Sequence, residues 1–112
     1  MSTYYHGSRN GLTLHEGVCL VNREDVAESY ARGGDVVAVD VALSGLVVED
    51  VDVTDEMRDE VEYPGDRAED RAAFLARGVD AIIYDDETET GRQHRCLRLL
   101  SPRALAAVSV LA

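Results

Sequence analysis

Tryptophan and lysine are absent from this chain of 112 residues, and phenylalanine occurs only once. With five tyrosines as the only other aromatic residues, the core must be built mainly from Val, Leu, Ile and Ala. Every one of the 11 basic side chains is an arginine. We attribute this bias, together with the abundance of Ala, Val and Asp, to genome composition, so it carries no functional argument.

Cysteine is also scarce, and long apolar runs are missing. Cys19 and Cys96 are too few for a disulfide framework and lack the paired spacing of a zinc site. No apolar run approaches the roughly 20 residues that cross a bilayer, and the N-terminus lacks a signal-peptide pattern. We therefore expect a cytoplasmic protein with reduced thiols, no metal and no membrane partner.

Positive charge is outnumbered two to one, because 22 acidic residues face 11 arginines and give a net charge of −11. Neutralising a phosphate backbone requires clustered Lys and Arg, so nucleic acid is not expected as a direct ligand. Eleven of the 22 residues from 49 to 70 are Asp or Glu. Such a run usually forms a solvated, partly mobile connection, and the alternative is a docking surface for a basic partner.

Size and apolar content predict one domain over residues 1–112. The clearest strand pattern runs from Asp35 to Leu43, where valines alternate with other residues. Helical spacing predicts one helix after an Asn22 N-cap and another after Asp66, which with Glu69 resembles a capping box. Shorter strands are predicted near residues 4–5, 18–21, 46–48, 79–85, 96–100 and 108–111, and short helical stretches at 54–61 and 103–106. Strands and helices do not alternate regularly, which indicates an α+β fold.

Three local features are candidates for a functional site. The stretch Tyr4–Ser8 predicts a short strand that ends in a tight His6-Gly7-Ser8 turn, where Gly7 would let a ligand approach the main chain. Tyr30 lies in the last turn of the first predicted helix and is expected to point toward the protein body. A polar hairpin loop is predicted from Asp86 to Arg92. His15 and His94 have polar neighbours and are expected at the surface.

Taken in order, these motifs resemble the ADP-ribosyltransferase superfamily, the fold shared by diphtheria-type toxins and poly(ADP-ribose) polymerases. The resemblance covers residues 4–111. The His-Gly-Ser triplet is similar to the first NAD-binding motif, and residues 17–22 followed by 27–31 resemble the second. Residues 78–84 followed by 96–102 resemble a strand pair of small phage and bacterial members, and residues 84–97 are similar to a phage-encoded anti-CRISPR ADP-ribosyltransferase. The resemblance implies a compact split antiparallel β-sheet with two or three short helices.

The resemblance also implies that NAD is the co-substrate. His6 would hydrogen-bond the adenosine-side ribose, and the main chain of Gly7, assisted by Ser8, would pair with the nicotinamide carboxamide. Tyr30 would stack on the nicotinamide ring. Arg9, together with Arg92 and Arg95, is a candidate for holding the pyrophosphate.

Catalysis in such a site needs a carboxylate beneath the nicotinamide ribose, where an oxocarbenium-like charge develops. The candidates are Asp86 first, Glu87 second and Glu89 third, and the alternative is that these acids only solvate a hairpin tip. Two positions depart from the family pattern. Cys19 stands where a first stacking tyrosine is usual, and no glutamate lies near Cys96.

We therefore expect an NAD-dependent mono-ADP-ribosyltransferase that modifies a protein in a phage or toxin context, and the acidic surface favours a basic protein target. Two alternatives stay open. One is an NAD glycohydrolase, and the other is a catalytically inactive acidic domain of the same fold that inhibits a nucleic-acid-binding protein. RNA 2′-phosphotransferases resemble the same fold, but a net charge of −11 is a poor fit to their phosphate site.

Overall fold

The computed structural model describes residues 2–9, 11–60, 62–88 and 90–111. In this part of the chain it is an α+β protein with one seven-stranded sheet and four α-helices. The strands are β1 (Ser2–Ser8), β2 (Cys19–Val21), β3 (Asp35–Val41), β4 (Val48–Asp50), β5 (Ala81–Glu87), β6 (Gln93–Leu99) and β7 (Val108–Val110). The helices are α1 (Glu24–Ala31), α2 (Asp55–Asp59), α3 (Ala68–Ala76) and α4 (Pro102–Ala106), and a 3-10 turn spans Leu43–Gly45.

The count of two or three helices was too low, because the short helical stretches predicted at residues 54–61 and 103–106 both form helices, α2 and α4. Each is only five residues long. Their first turns are held by side-chain caps. Thr54 accepts a hydrogen bond from the Met57 N–H, and Ser101 accepts one from the Ala104 N–H.

The sheet order is β4-β5-β6-β2-β1-β3-β7. Every neighbouring pair is antiparallel except β4 and β5, which run parallel at one edge. The prediction of a purely antiparallel sheet is therefore wrong at that edge, because β4 and β5 are joined by a long crossover that contains α2 and α3.

The junction between β1 and β2 is the shortest pairing in the sheet. β1 pairs with β3 over seven residues, and β2 pairs with β6 over three. By contrast, β1 and β2 are paired at a single register position, Tyr5 opposite Val21. The sheet thus has two halves, β4-β5-β6-β2 and β1-β3-β7, that separate beyond this pair.

The His6-Gly7-Ser8 triplet lies inside β1 and not in a turn, because its three residues pair with Val37, Val36 and Asp35 of β3. Gly7 faces α1 at very close range. A Cβ atom added there would lie 1.8 Å from the carbonyl oxygen of Ala27. The close packing of α1 on β1 therefore requires glycine at this position, whether or not a ligand approaches its main chain.

Two of the predicted helix caps are also corrected. Arg23 occupies the N-cap position of α1, and the side chain of Asn22 instead accepts a hydrogen bond from the Arg95 N–H of β6 at 2.9 Å. Arg67 occupies the N-cap position of α3, and the Asp66 carboxylate accepts from the Tyr63 N–H at 2.9 Å. Both polar side chains fix a loop against its neighbour instead of beginning a helix.

Parts of the acidic segment, which runs from residue 49 to residue 70, form regular elements and pack on the core. It contains the last two residues of β4, all of α2 and the first turn of α3. Val51, Val53 and Tyr63 pack against the buried cluster around Tyr84, and Asp66 forms an ion pair with Arg98 at 2.8 Å. The segment therefore forms one wall of the molecule.

The buried apolar residues form two clusters, and together they account for the aliphatic composition. One is Val18, Leu20, Val39, Val41, Ala81, Leu97, Leu99 and Ala104, and the other is Val21, Val26, Ala27, Val79, Ile82, Tyr84, Cys96 and Leu100. None of the helices in the described ranges has the length and apolar character needed to cross a membrane.

Candidate functional site

A cavity of about 240 Å³ lies where β1 and β2 separate. Apart from His6, its lining residues on the strands occupy alternate positions, so they share one face of the sheet. The same face carries α1, and the acidic segment closes the far side. The lining residues are Tyr5, His6, Gly7, Cys19, Val21, Tyr30, Tyr63, Tyr84, Asp86, Cys96 and Arg98.

Four of the predicted site residues meet at this cavity: His6, Gly7, Tyr30 and Asp86. His6 and Gly7 come from β1, Tyr30 from the end of α1, and Asp86 from β5 on the other half of the sheet. His6 bridges the gap between the halves, because its Nδ1 lies 3.4 Å from the carbonyl oxygen of Cys19 on β2. The long distance makes this a weak hydrogen bond.

The other predicted site residues lie outside this lining. Ser8 ends β1 and is half-buried, and Arg9 follows it at the exposed surface. Glu87 is exposed and lines a neighbouring cleft of about 540 Å³. Glu89 falls outside the described residues.

The three arginines considered for the pyrophosphate do not form one pocket. Arg95 is held by Asp50 at 2.7 Å and by Asp85 at 3.0 Å, at the far edge of the sheet. Arg92 reaches Asp25 at 3.4 Å. The arginine that does line the cavity is Arg98, which the sequence analysis did not single out.

Arg98 is anchored on three sides. Its guanidinium donates hydrogen bonds to the Gly17 carbonyl at 2.9 Å, to the Asp66 carboxylate at 2.8 Å and to the Tyr84 hydroxyl at 2.9 Å. Its Nε is buried and lacks a hydrogen-bond partner among the described residues. The Asp66 carboxylate offsets the charge of the Arg98 guanidinium. Arg98 therefore adds a fixed hydrogen-bond donor to the cavity wall but little net positive charge.

Aromatic rings form the mouth of the cavity. Tyr63 stacks on Tyr84 with ring centroids 6.0 Å apart and planes 16° apart. Tyr30 is 47% exposed, more than expected, and its ring meets that of His94 edge-on at 6.2 Å. Burial, reinforced by the Asp86 carboxylate, raises the pKa of both Tyr30 and Tyr63, so both phenols stay neutral.

Sequence reasoning missed Tyr63 because it was assigned only to a Tyr-Pro-Gly turn. Tyr63 could have been singled out because it is the one aromatic residue in the acidic run from residue 49 to residue 70. Such a residue must either pack on the core or stand in a binding site. Here it packs on Tyr84 with one face and borders the cavity.

Asp86 lies within β5 and not in the predicted hairpin loop, because β5 extends to Glu87 and pairs Asp86 with His94. Its side chain is 13% exposed, and its Oδ1 accepts a hydrogen bond from the Glu87 N–H at 2.7 Å. Asp86, Tyr30 and Tyr63 also line the neighbouring cleft. The carboxylate therefore stands on the boundary between the cavity and the cleft.

His94 is buried, with 4% of its surface exposed, and the prediction of a surface position is wrong. The physical reason is strand alternation, which turns His94, Cys96 and Arg98 of β6 toward the same face. His94 Nε2 lies 3.8 Å from Asp86 Oδ2. The polar neighbours of His94 in sequence belong to the opposite face of β6.

Cys19 and Cys96 are unpaired thiols in the cavity wall. A hydrogen bond between the two side chains lowers the pKa of Cys19 and raises the pKa of Cys96, whose burial acts in the same direction. Cys96 also lies 3.9 Å from Asp86 Oδ2. Of the two thiols, Cys96 is therefore the one that faces the carboxylate.

Comparisons with protein-family models, with curated proteins and with solved structures found no match to this chain.

Proposed function

We propose that the chain is a small ADP-ribosyltransferase that transfers ADP-ribose from NAD to a basic protein. The observation that carries this proposal is the meeting of His6, Gly7, Tyr30 and Asp86 at one cavity, although they lie far apart in sequence. The single register pair between β1 and β2 supports the split-sheet form of that fold. A phage or toxin setting remains part of the proposal and rests on the sequence resemblance.

Space in the site suits a bent dinucleotide. The cavity of about 240 Å³ suits a nicotinamide ring and part of its ribose, whereas pockets for whole ligands usually measure about 300–1,000 Å³. The adjoining cleft of about 540 Å³ provides room for the remainder. Tyr30, Tyr63 and Asp86 border both spaces, so a ligand spanning them would pass the carboxylate.

The proposed chemistry breaks the bond between the nicotinamide nitrogen and ribose C1′. Nicotinamide leaves with the bonding electron pair, positive charge develops on C1′ and the ring oxygen, and a nucleophile on the acceptor then bonds to C1′ and loses its proton. Asp86 would stabilise that charge and accept a hydrogen bond from the 2′-hydroxyl. The neutral rings of Tyr30 and Tyr63 would hold the base in place and keep water out.

The neutralised Arg98 is compatible with a cationic base in the cavity. Its ion pair with Asp66 offsets the guanidinium charge, so repulsion of the nicotinamide cation is small. The Arg98 side chain lines the cavity, where its guanidinium would donate to a carboxamide or phosphate oxygen of NAD. In this proposal Arg98 takes the binding role that sequence analysis gave to Arg9, Arg92 and Arg95.

Substitution of Asp86 by Asn tests the proposal, with Glu87→Gln as the matched control on the same strand. NAD labelled in its adenylate portion is incubated with each variant and a histone mixture as the basic acceptor. We expect Asp86→Asn to lose at least about a hundredfold in turnover, because the carboxylate acts mainly in the transition state. Its Kd for NAD, measured by calorimetry, should stay within about threefold.

Three outcomes separate the alternatives. Label on protein supports the transferase, and free ADP-ribose without labelled protein supports an NAD glycohydrolase. If calorimetry detects no NAD binding by the natural chain, the inactive acidic domain is supported. Cys19 at the usual stacking position also favours that alternative. Unchanged turnover in Asp86→Asn with loss in Glu87→Gln would move the catalytic role to Glu87.

A further inference from the structure

We propose that Asp86, His94 and Cys96 form a binding site for a divalent cation of the zinc class. Asp86 of β5 lies directly opposite His94 of β6, and Cys96 follows two residues later on the same face. Their ligand atoms all lie within 4.8 Å of one another. Strand pairing thus assembles three ligand types that no spacing in the sequence indicated.

The hydrogen bonding of His94 fixes which of its ring nitrogens is available. Nδ1 lies 3.3 Å from the Arg92 carbonyl oxygen, which can only accept, so Nδ1 carries the hydrogen. In the neutral ring, Nε2 then carries a lone pair and no hydrogen. Metal-binding histidines commonly donate their second nitrogen to a backbone carbonyl in this way.

Nε2 is buried and has no hydrogen-bond partner in the part of the chain that the structure describes, and the His94 side chain has no exposed surface. The carboxylate oxygen that faces it is 3.8 Å away, beyond hydrogen-bond range. A buried lone pair opposite a carboxylate is unfavourable unless something positive lies between them. A cation in this gap would satisfy both atoms at once.

The donor set matches zinc better than magnesium or calcium. Zn²⁺ accepts nitrogen, sulfur and carboxylate ligands, whereas the harder cations prefer oxygen alone. Bonds of about 2.0–2.3 Å in tetrahedral geometry place ligand atoms about 3.3–3.8 Å apart. Asp86 Oδ2 is already 3.8 Å from His94 Nε2 and 3.9 Å from Cys96 Sγ, so little movement is needed.

Charge also balances in the occupied site. The Asp86 carboxylate and the Cys96 thiolate supply two negative charges against the two positive charges of the ion. The thiol proton leaves to solvent as the ion binds, because only the thiolate is a good ligand. A buried divalent ion with this ligand set carries no net charge into the interior.

Three protein ligands leave one tetrahedral position open. Asp86 and Cys96 both line the tyrosine-rich cavity, so the open position is directed there. The Tyr30 ring lies beside His94, with ring centroids 6.2 Å apart. If the proposed function also holds, the ion competes with NAD, because both require the Asp86 carboxylate.

The test is a titration of the full chain, stripped of metal, with Co²⁺ in the absence of NAD. We expect one equivalent to bind with a thiolate-to-cobalt charge-transfer band, and Zn²⁺ to displace it while Mg²⁺ does not. Cys96→Ser should abolish the band, and His94→Gln should weaken Co²⁺ binding at least tenfold. The exposed His15→Gln should leave both unchanged.

Absence of a charge-transfer band in the natural chain would overturn the site without any variant. Persistence of the band in Cys96→Ser, or its loss in His15→Gln, would overturn the ligand assignment. Circular dichroism of each variant separates loss of a ligand from loss of fold. Because NAD plays no part in the titration, failure of the proposed transferase would leave this result standing, and the converse also holds.

Discussion

In the proposed function, Tyr63 supplies an aromatic ring to the cavity that Cys19 cannot supply. Its ring is fixed by stacking on Tyr84, so it can contact a bound base without further ordering. If the proposed function holds, we expect Tyr63→Leu to weaken NAD binding about two- to thirteenfold, since an aromatic pair contributes about 0.5–1.5 kcal/mol. Calorimetric titration with NAD measures this change.

Tyr63→Phe is the matched control, because it keeps the ring and removes only the hydroxyl. It should bind NAD nearly as well as the natural chain. An equal loss in the Phe and Leu variants would show that the hydroxyl, and not the ring, makes the contact. Unchanged binding in Tyr63→Leu would remove Tyr63 from the NAD site.

Gly7 offers a second test at the scale of one residue. A Cβ atom there would overlap the Ala27 carbonyl oxygen at 1.8 Å, and backbone cannot move aside as a flexible side chain can. We expect Gly7→Ala to lower the free energy of unfolding by about 3 kcal/mol, the upper end of the usual cost of overpacking. Denaturant unfolding measures it.

Gly45→Ala is the control for this substitution. Gly45 lies in the 3-10 turn, has no positive φ and has open space where a Cβ atom would stand. It should change stability by less than about 0.5 kcal/mol. Similar losses at both positions would contradict the close approach of α1 to β1.

The candidate site shows how far single residues could be predicted. His6, Gly7, Tyr30 and Asp86 were found because each belongs to a short motif with a recognisable order. His94, Tyr63 and Arg98 were missed, because their roles depend on which residues of β5, β6 and the acidic segment face one another. Cross-strand neighbours are set by register, and no local pattern in the sequence reports it.

Asp80 connects several elements at the start of β5. Its carboxylate accepts hydrogen bonds from the Val47 N–H at 2.9 Å and from the Ser101 hydroxyl at 2.7 Å. Ser101 in turn caps α4. We expect Asp80→Asn to lower the free energy of unfolding by about 1–3 kcal/mol at pH 7, because a buried donor loses its charged acceptor.

These hydrogen bonds, first that of Val47 and then that of Ser101, hold the pKa of Asp80 below its usual value. A lowered pKa in the folded state means that the stabilisation is present above the unfolded value of about 3.9 and is lost as pH falls through the folded value. The stability difference between the natural chain and Asp80→Asn should therefore shrink below about pH 4. The exposed Asp52→Asn is the control, and a difference that grows on acidification would contradict the assignment.

At the scale of elements, the sequence predicted the strands well where alternation was strong. The predicted strand from Asp35 to Leu43 corresponds to β3, and the predicted stretch at residues 18–21 corresponds to β2. The predicted end of β5 was too early, because Asp86 and Glu87 were assigned to a loop but continue the strand. Pairing with β6 supplies hydrogen bonds that outweigh the low strand propensity of acidic residues.

The whole molecule carries a net charge of −11, and much of it lies in the acidic segment from residue 49 to residue 70. This charge distribution fits the basic acceptor of the proposed function, since opposite fields speed encounter. It also predicts self-repulsion within the folded chain. The exposed acids at the end of α2 add to that repulsion, because they also lie at the negative end of the helix dipole.

We expect the double variant Asp59→Asn with Glu60→Gln, which changes the charge from −11 to −9, to be more stable at low salt. The gain should be about 0.5–1 kcal/mol in about 0.01 M NaCl, where the Debye length is about 30 Å, and should nearly vanish in 1 M NaCl. Denaturant unfolding at both salt concentrations measures it. Arg58→Gln, on the same helix, removes a positive charge and should shift stability in the opposite direction. A gain that persists in 1 M NaCl would assign the effect to helix propensity instead of charge.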